Sequence, residues 1–249
     1  MNNFISYKYD SIIPSELSDN TILMIGRGNA VKKRFELGIQ AMEYIILEIK
    51  ICQLKIISNL IGINHHINLV NNLNLDNNIQ FIGYSSFPEV FFKNSSLNFF
   101  PSISESFGLV LSEAKIYGMP NILLGLDYIS IAKGGIIIVY DDTPESLAKE
   151  SIKILVNKKY KKHLGKEAKA SMKNFNNELL FIKWVKLVLS IYNSEQSYQE
   201  LRTYGYKITK SESLNIINNQ INLLKKRDLR FKNITKHNFE NFSFMEQIN

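Results

Sequence analysis

The sequence predicts an α/β fold in which a parallel sheet is covered by helices on both faces. Short apolar runs bounded by turn residues alternate with segments of helical periodicity, and that alternation is the signature of parallel strands joined by crossover helices. No internal repeat competes with this reading. The 249 residues are 45% hydrophobic, enough to bury the core of one large or two small domains.

The elements follow in order. After a polar lead over residues 1–20, TILMIGR (21–27) reads as a strand and FELGIQAMEYIILEI (35–49) as a helix, followed by strand CQLKIIS (52–58) and helix HINLVNNLNL (66–75). Strand NIQFIGY (78–84) leads to a short helix at PEVFFKNS (88–95), then strand LNFFPSI (97–103), a turn through SESFG and helix LVLSEAKIYG (109–118). Strand NILLGL (121–126), a turn through AKGG, strand IIIVYDD (136–142) and helix PESLAKESIKILV (144–156) complete the unit. Ligands of such sheets bind beyond the carboxyl ends of the strands, where Arg27 and Glu105 both fall.

The stretch PSISESFGLVLSEAKIYGMP (101–120) carries the most chemistry. Glu105 precedes the helix, and Glu113 lies inside it, about 7 to 8 Å along the axis at 1.5 Å per residue. The unpaired N–H groups and positive dipole end of the first turn favour an anion there, and Gly108 leaves the approach open. A nucleotide diphosphate-sugar anchored at that entrance would present hydroxyls on both sides of its phosphates, and carboxylates accept hydrogen bonds from hydroxyls. In TILMIGRGNAVKKRFELGIQAM, Arg27 and the lysines near the next helix could stabilise charge on a departing diphosphate, Arg through two parallel bonds and Lys as a point charge.

Pro101, Ser102, Glu105, Phe107, Gly108, Glu113, Ala114, Gly118 and Pro120 stand in the order and spacing of a known signature. The stretch resembles the donor-binding signature of family-four retaining glycosyltransferases of the GT-B fold, the glycosyl transferases group 1. The earlier segment resembles the other half of the same site, with Gly26, Arg27 and Lys33 at the family's positions, Lys32 as a rival for Lys33, and Phe35, Leu37 and Ile39 in its helical register. The resemblance covers roughly residues 10–195. It implies a Rossmann-like domain, the C-terminal half of a GT-B fold, at 21–195 and a helical extension with a polar tail at 196–249. It also implies a UDP- or GDP-sugar donor with no metal and no further cofactor. Arg27 and Lys33 would stabilise the diphosphate, Glu105 would orient the sugar, and Glu113 would hold the ribose, with Gly26, Gly108 and Leu109 lining the site. Phe107 either turns its backbone N–H to the sugar or belongs to the core. Tyr84 and Ser85 either border the base or are a strand-end aromatic and a turn serine.

The resemblance also implies what the rest of the family's site would require. Members place a first, acceptor-binding domain across a cleft, whereas MNNFISYKYDSIIPSELSDN looks like the link between domains, so the donor-binding half alone is expected. Hexosyl transfer with retention would then need an acceptor domain, because an unknown sugar, lipid or protein acceptor must be held about 3 to 3.5 Å from the reacting carbon. The alternative is a non-catalytic nucleotide-sugar-binding or interaction subunit. The apolar segment LLFIKWVKLVLSIY (179–192), with Trp184, Val188 and Ile191 at helical spacing, is expected to be a helix suited to a partner chain or homodimer. A further helix is expected at residues 211–227, with Leu214, Ile217, Ile221 and Leu224 on one face.

The net charge of +7 raises nucleic acid or an anionic lipid surface as partners, but much of it lies in KKYKKHLGKEAKASMK (158–173), whose spacing predicts a solvated helix face. No zinc-finger, RNA-binding or helix-turn-helix pattern supports nucleic acid, and peripheral membrane contact is the weaker expectation that remains. No apolar run reaches the roughly 18 to 20 residues of a membrane span, and MNNFISYKYD lacks signal-peptide order, so a cytoplasmic location is expected. Cys52 is expected in the core. His65 and His66 are adjacent, are expected to face different ways, and have no acidic cluster to make them metal ligands. Asp141 and Asp142 precede Thr143 and Pro144, a helix-start signal, and read as a turn. The glycosylation patterns at Asn94, Asn233 and Asn241 are matches expected by accident in an Asn-rich chain.

Overall fold

A computed structural model describes residues 12–28, 31–126, 129–175, 181, 182, 184 and 185. The chain divides into two units, Met1–Phe181 and Ile182–Asn249. Of the helix expected over 179–192, the described residues Phe181, Ile182, Trp184 and Val185 are helical. The helix expected at 211–227, the polar tail, Val188, Ile191, Asn233 and Asn241 lie outside the described residues.

The first unit is built from β1 (Thr21–Ile25), α1 (Phe35–Glu48), β2 (Gln53–Ile57), α2 (Asn64–Asn72), β3 (Ile79–Ile82), α3 (Glu89–Lys93), β4 (Leu97–Phe100), α4 (Leu109–Ile116), β5 (Asn121–Leu124), β6 (Ile136–Val139), α5 (Pro144–Val156) and α6 (Lys158–Ser171). All six strands form one sheet in the order β3-β2-β1-β4-β5-β6, and every pairing is parallel. The order reverses between β1 and β4, whose short register runs through Ile22↔Leu97 and Leu23↔Asn98. Two loops therefore diverge from neighbouring strands there, leaving a crevice at the carboxyl edge.

Strand alternation sorts the core into layers. Ile22 and Met24 of β1 join Leu54, Ile56, Phe99 and Ile122 beneath α1, α2 and α5, supplied by Leu37, Met42, Ile45, Val70, Leu147 and Ile154. The opposite face is covered by Phe92, Leu111, Ala114 and Ile116 of α3 and α4. Both faces of the sheet being buried explains why its strands are nearly continuous apolar runs.

The ends of the elements follow local chemistry. Thr143 caps α5 by accepting from the Ser146 N–H at 3.2 Å, with Pro144 at the first helical position, as the helix-start signal predicts. Asn157 caps α6 by accepting from the Tyr160 N–H at 2.9 Å. The AKGG turn contains two left-handed glycines, Gly134 and Gly135. Cys52 is fully buried ahead of β2; burial pushes its thiol up to about 12, and Sγ donates to the Asn20 carbonyl.

One expectation is corrected. On α6, Lys158, Lys159, Lys162 and Lys166 are exposed, but Lys161 is buried, donates Nζ to the Asp19 carbonyl at 3.1 Å, and has its pKa lowered by desolvation. A long aliphatic stem lets a lysine lie against the core if its head finds an acceptor, and here the polar lead supplies one. In the first turn of α2, His65 is exposed and His66 buried, so the two face different environments, with their rings tilted at 41° and centroids 3.7 Å apart. Among the described residues, no group of three or more His, Cys, Asp or Glu is placed to hold a metal ion. Among the same residues, no helix is long and apolar enough to cross a membrane.

Candidate functional site

The loops following β1 and β4 meet over the reversal of strand order. The β1 loop turns through Gly26, runs into a short 3-10 turn at Val31–Lys33, and enters α1 at Phe35. The Lys32 carbonyl accepts from the Ile103 N–H at 2.9 Å, stitching this turn to the β4 loop. One residue on, Lys33 Nζ lies 2.5 Å from Glu105 Oε1, joining positions 72 apart in sequence. The two side chains are 22% and 18% exposed, so the pair is partly shielded from water yet open to a ligand. Lys33 Nζ also stands 5.4 Å from the centroid of the Phe100 ring, within cation–π range.

This contact separates the two rival lysines. Lys32 is exposed and contributes its backbone, whereas Lys33 projects its charge onto Glu105. Gly26 lies under that path: a Cβ here would stand 3.0 Å from Lys33 Cγ and 3.1 Å from Phe35 Cζ, so an added methyl would push the lysine stem or the ring aside by a few tenths of an ångström. Arg27 is exposed at the mouth of the same loop.

The helix that follows β4 opens toward the same point. Gly108 is the N-cap of α4, with φ 86 and ψ 67, a left-handed conformation that glycine adopts without strain. Gly108 has no side chain with which to cap this first turn. Leu109, the first helical residue, is half exposed. Phe107 is 6% exposed and packs with Phe100, Leu111 and Phe175, which places its side chain in the core. Glu113 is half-buried one turn further along α4, and desolvation raises its pKa to about 7.

Farther out, Tyr84 is 83% exposed beyond β3. Ser85 Oγ accepts from the Phe87 N–H at 3.1 Å, which is the turn role open to it from sequence. The structure brings Lys33 against both Gly26 and Glu105 and sets Gly108 and Leu109 at the adjoining helix start, with Arg27, Glu113 and Tyr84 farther from that contact in the described structure.

Two residues escaped the sequence reading. Lys115 is fully buried on α4, donates Nζ to the carbonyls of Ile131 and Lys133 at 2.6 Å each, and has its pKa lowered to about 7 by desolvation. It ties the β5–β6 loop to the helix carrying Glu113. Arg34, at the start of α1, lies 3.0 Å from Asp142. Asp142 is thus part of an ion pair as well as of the turn before Thr143. Only the abundance of charge near these helix ends was visible beforehand, since each partner is distant in sequence.

The family model for glycosyl transferases group 1 matches residues 8–171. Among solved structures, the chain is similar to sucrose-phosphate synthase from Thermosynechococcus elongatus, with a TM-score of 0.65 and 20% identity over 77% of this chain and 52% of that one. It is also similar to TarM from S. aureus, solved with fondaparinux, alpha-GlcNAc-glycerol and UDP, with a TM-score of 0.63 and 19% identity over 74% and 38% of the two chains. The C-terminal domain of a glycosyl transferase group 1 family protein, LpcC, from Francisella tularensis matches with a TM-score of 0.55 and 14% identity over 68% of this chain and 97% of that structure. The chain therefore spans between 38% and 52% of the first two proteins. No curated protein sequence matches the chain.

Proposed function

Because the chain belongs to the glycosyl transferases group 1 family and carries one Rossmann-like half of a GT-B fold, we propose that it binds a nucleotide diphosphate-sugar in the crevice between the β1 and β4 loops. The observation that carries this reading is the Lys33–Glu105 pair at the point where strand order reverses, beside the uncapped start of α4. TarM, one of the similar structures, was solved with UDP.

In this reading a UDP- or GDP-sugar lays its diphosphate against the first turn of α4, where backbone N–H groups and the helix dipole favour negative charge. Lys33 exchanges Glu105 for the diphosphate. Arg27, free to swing from an exposed loop, adds a second cation, and both stabilise the charge that grows on the diphosphate as the sugar departs. Glu105, released from Lys33, accepts hydrogen bonds from sugar hydroxyls. Glu113 accepts from the ribose, and the exposed Tyr84 borders the base. Transfer with retention to an acceptor completes the reaction when an acceptor-binding domain closes the crevice and excludes water. No carboxylate of this half is assigned as a general acid or nucleophile.

UDP and GDP tested separately by thermal shift check the binding step. At ten times its dissociation constant, the accepted nucleotide raises Tm by about 3 to 5 °C, and Arg27→Ala or Lys33→Ala removes most of the rise. No shift with either nucleotide at millimolar concentration would count against the site. The second reading is a donor-binding subunit without turnover. Incubation with labelled UDP- and GDP-sugars and general acceptors separates the two, since transfer by this chain alone rejects that second reading.

A further inference from the structure

We propose that Arg34 and Asp142 form a clamp that holds the β1 loop in the shape that presents Lys33 to the donor diphosphate, so that Arg34 is a positioning residue of the site. The inference rests on the donor-site reading above and adds to it a pair that neither motif contains.

Arg34 occupies a left-handed conformation, φ 50 and ψ 50, at the joint between the 3-10 turn and α1. That region is unfavourable for a side chain with a Cβ, and such residues persist where their surroundings over-determine them. Here the surroundings do so on both sides. The Arg34 N–H donates to the Val31 carbonyl and the Arg34 carbonyl accepts from the Leu37 N–H, each at 3.2 Å. Its guanidinium, 12% exposed, reaches Asp142 Oδ1 at 3.0 Å, and Asp142 is 27% exposed. Arg34 Nη1 is buried and has no aligned hydrogen bond, so charge attraction to Asp142 is what compensates its burial.

The placement of this pair is what gives it a function. Asp142 lies in the turn between β6 and α5, at the far edge of the sheet, and β4 and β5 stand between β6 and β1. The ion pair ties the start of α1 to the start of α5, two helices packed in the same core layer, at the carboxyl edge of the sheet. Three consecutive residues fasten the same turn in three ways: Lys32 through its carbonyl to Ile103, Lys33 through its charge to Glu105, and Arg34 to Asp142. A donor would displace the second tie, leaving the first and third to hold the loop while Lys33 changes partner. Preorganised cations bind an anion without first paying to order their loop.

Isothermal titration of the full chain with UDP tests the proposal. Arg34→Gly accepts the left-handed backbone freely but loses the ion pair, and Asp142→Asn keeps the shape of the turn without its charge. Each weakens UDP binding roughly 5- to 20-fold, and the double variant loses no more than either alone, because both remove one interaction. Exchanging the charges, Arg34→Asp with Asp142→Arg, recovers most of the affinity, helped by the tolerance of Asp for the left-handed region. A merely structural tie between helices would lower Tm and leave UDP affinity unchanged. Arg34→Gly and Asp142→Asn binding UDP like the wild type, while Lys33→Ala does not, would overturn the clamp and keep the donor site. Wild-type protein that ignores UDP, or Lys33→Ala that binds it normally, would overturn the donor site and the clamp with it.

Discussion

At the scale of the residue, the two partners in α4 with shifted pKa values make a pair of opposed pH effects. Burial raises Glu113 to about 7 from an ordinary 4.5, so the folded state holds its proton longer than the unfolded chain and loses stability as pH rises from about 4.5 to about 7. Burial lowers Lys115 to about 7 from 10.5, so the folded state releases its proton earlier and gains stability as pH rises from about 7 to about 10.5. Denaturant melts across pH should show Glu113→Gln flattening the first slope and Lys115→Met the second. Unchanged slopes would show that these groups do not titrate as their burial implies. The ribose role adds a binding effect of the opposite sense for Glu113, because an ionised carboxylate is the better acceptor. UDP affinity should rise as pH passes upward through about 7, and Glu113→Gln should abolish that rise.

That Gly26, Lys33 and Glu105 belong together was legible at this scale because motif spacing constrains residue type and order, and the fold places Lys33 against both. Arg34 and Lys115 were not. Arg34 looks like one more basic residue beside Lys32 and Lys33, and its left-handed backbone and distant carboxylate exist only in the fold. Lys115 sits in an amphipathic helix where a lysine normally marks the solvated face; the Ile131 and Lys133 carbonyls that receive it come from a loop whose course the sequence does not specify.

At the scale of the element, periodicity located the six strands and six main helices, because a sheet buried on both faces writes long apolar runs into its strands. The strands end earlier than those runs do: β4 stops at Phe100 and β6 at Val139, where loop backbone departs toward the crevice or the next helix. Two substitutions separate structural ends from functional ones. Asn157→Ala removes the α6 cap and should lower stability by about 1 kcal/mol with UDP affinity unchanged. Gly26→Ala places a methyl against Lys33 Cγ and Phe35 Cζ and should weaken UDP binding by at least about tenfold, a loss on the order of 1.4 kcal/mol. Wild-type UDP affinity in Gly26→Ala would show that Lys33 does not need the path over Gly26.

At the scale of the molecule, strand alternation implied a parallel sheet, but the order β3-β2-β1-β4-β5-β6 is a property of the assembled chain. That order puts β1 beside β4 and so converts two motifs far apart in sequence into one crevice. In extent, the chain covers 97% of the isolated C-terminal domain it resembles but 38% of TarM and 52% of sucrose-phosphate synthase.

The most direct measurement is a crystal structure of this chain with UDP. The account predicts the diphosphate at the first turn of α4, with Lys33 Nζ moved from Glu105 onto a phosphate oxygen, Glu113 on the ribose and the Arg34–Asp142 pair intact. UDP bound away from the β1 and β4 loops, or bound between them with Lys33 still on Glu105, would contradict it.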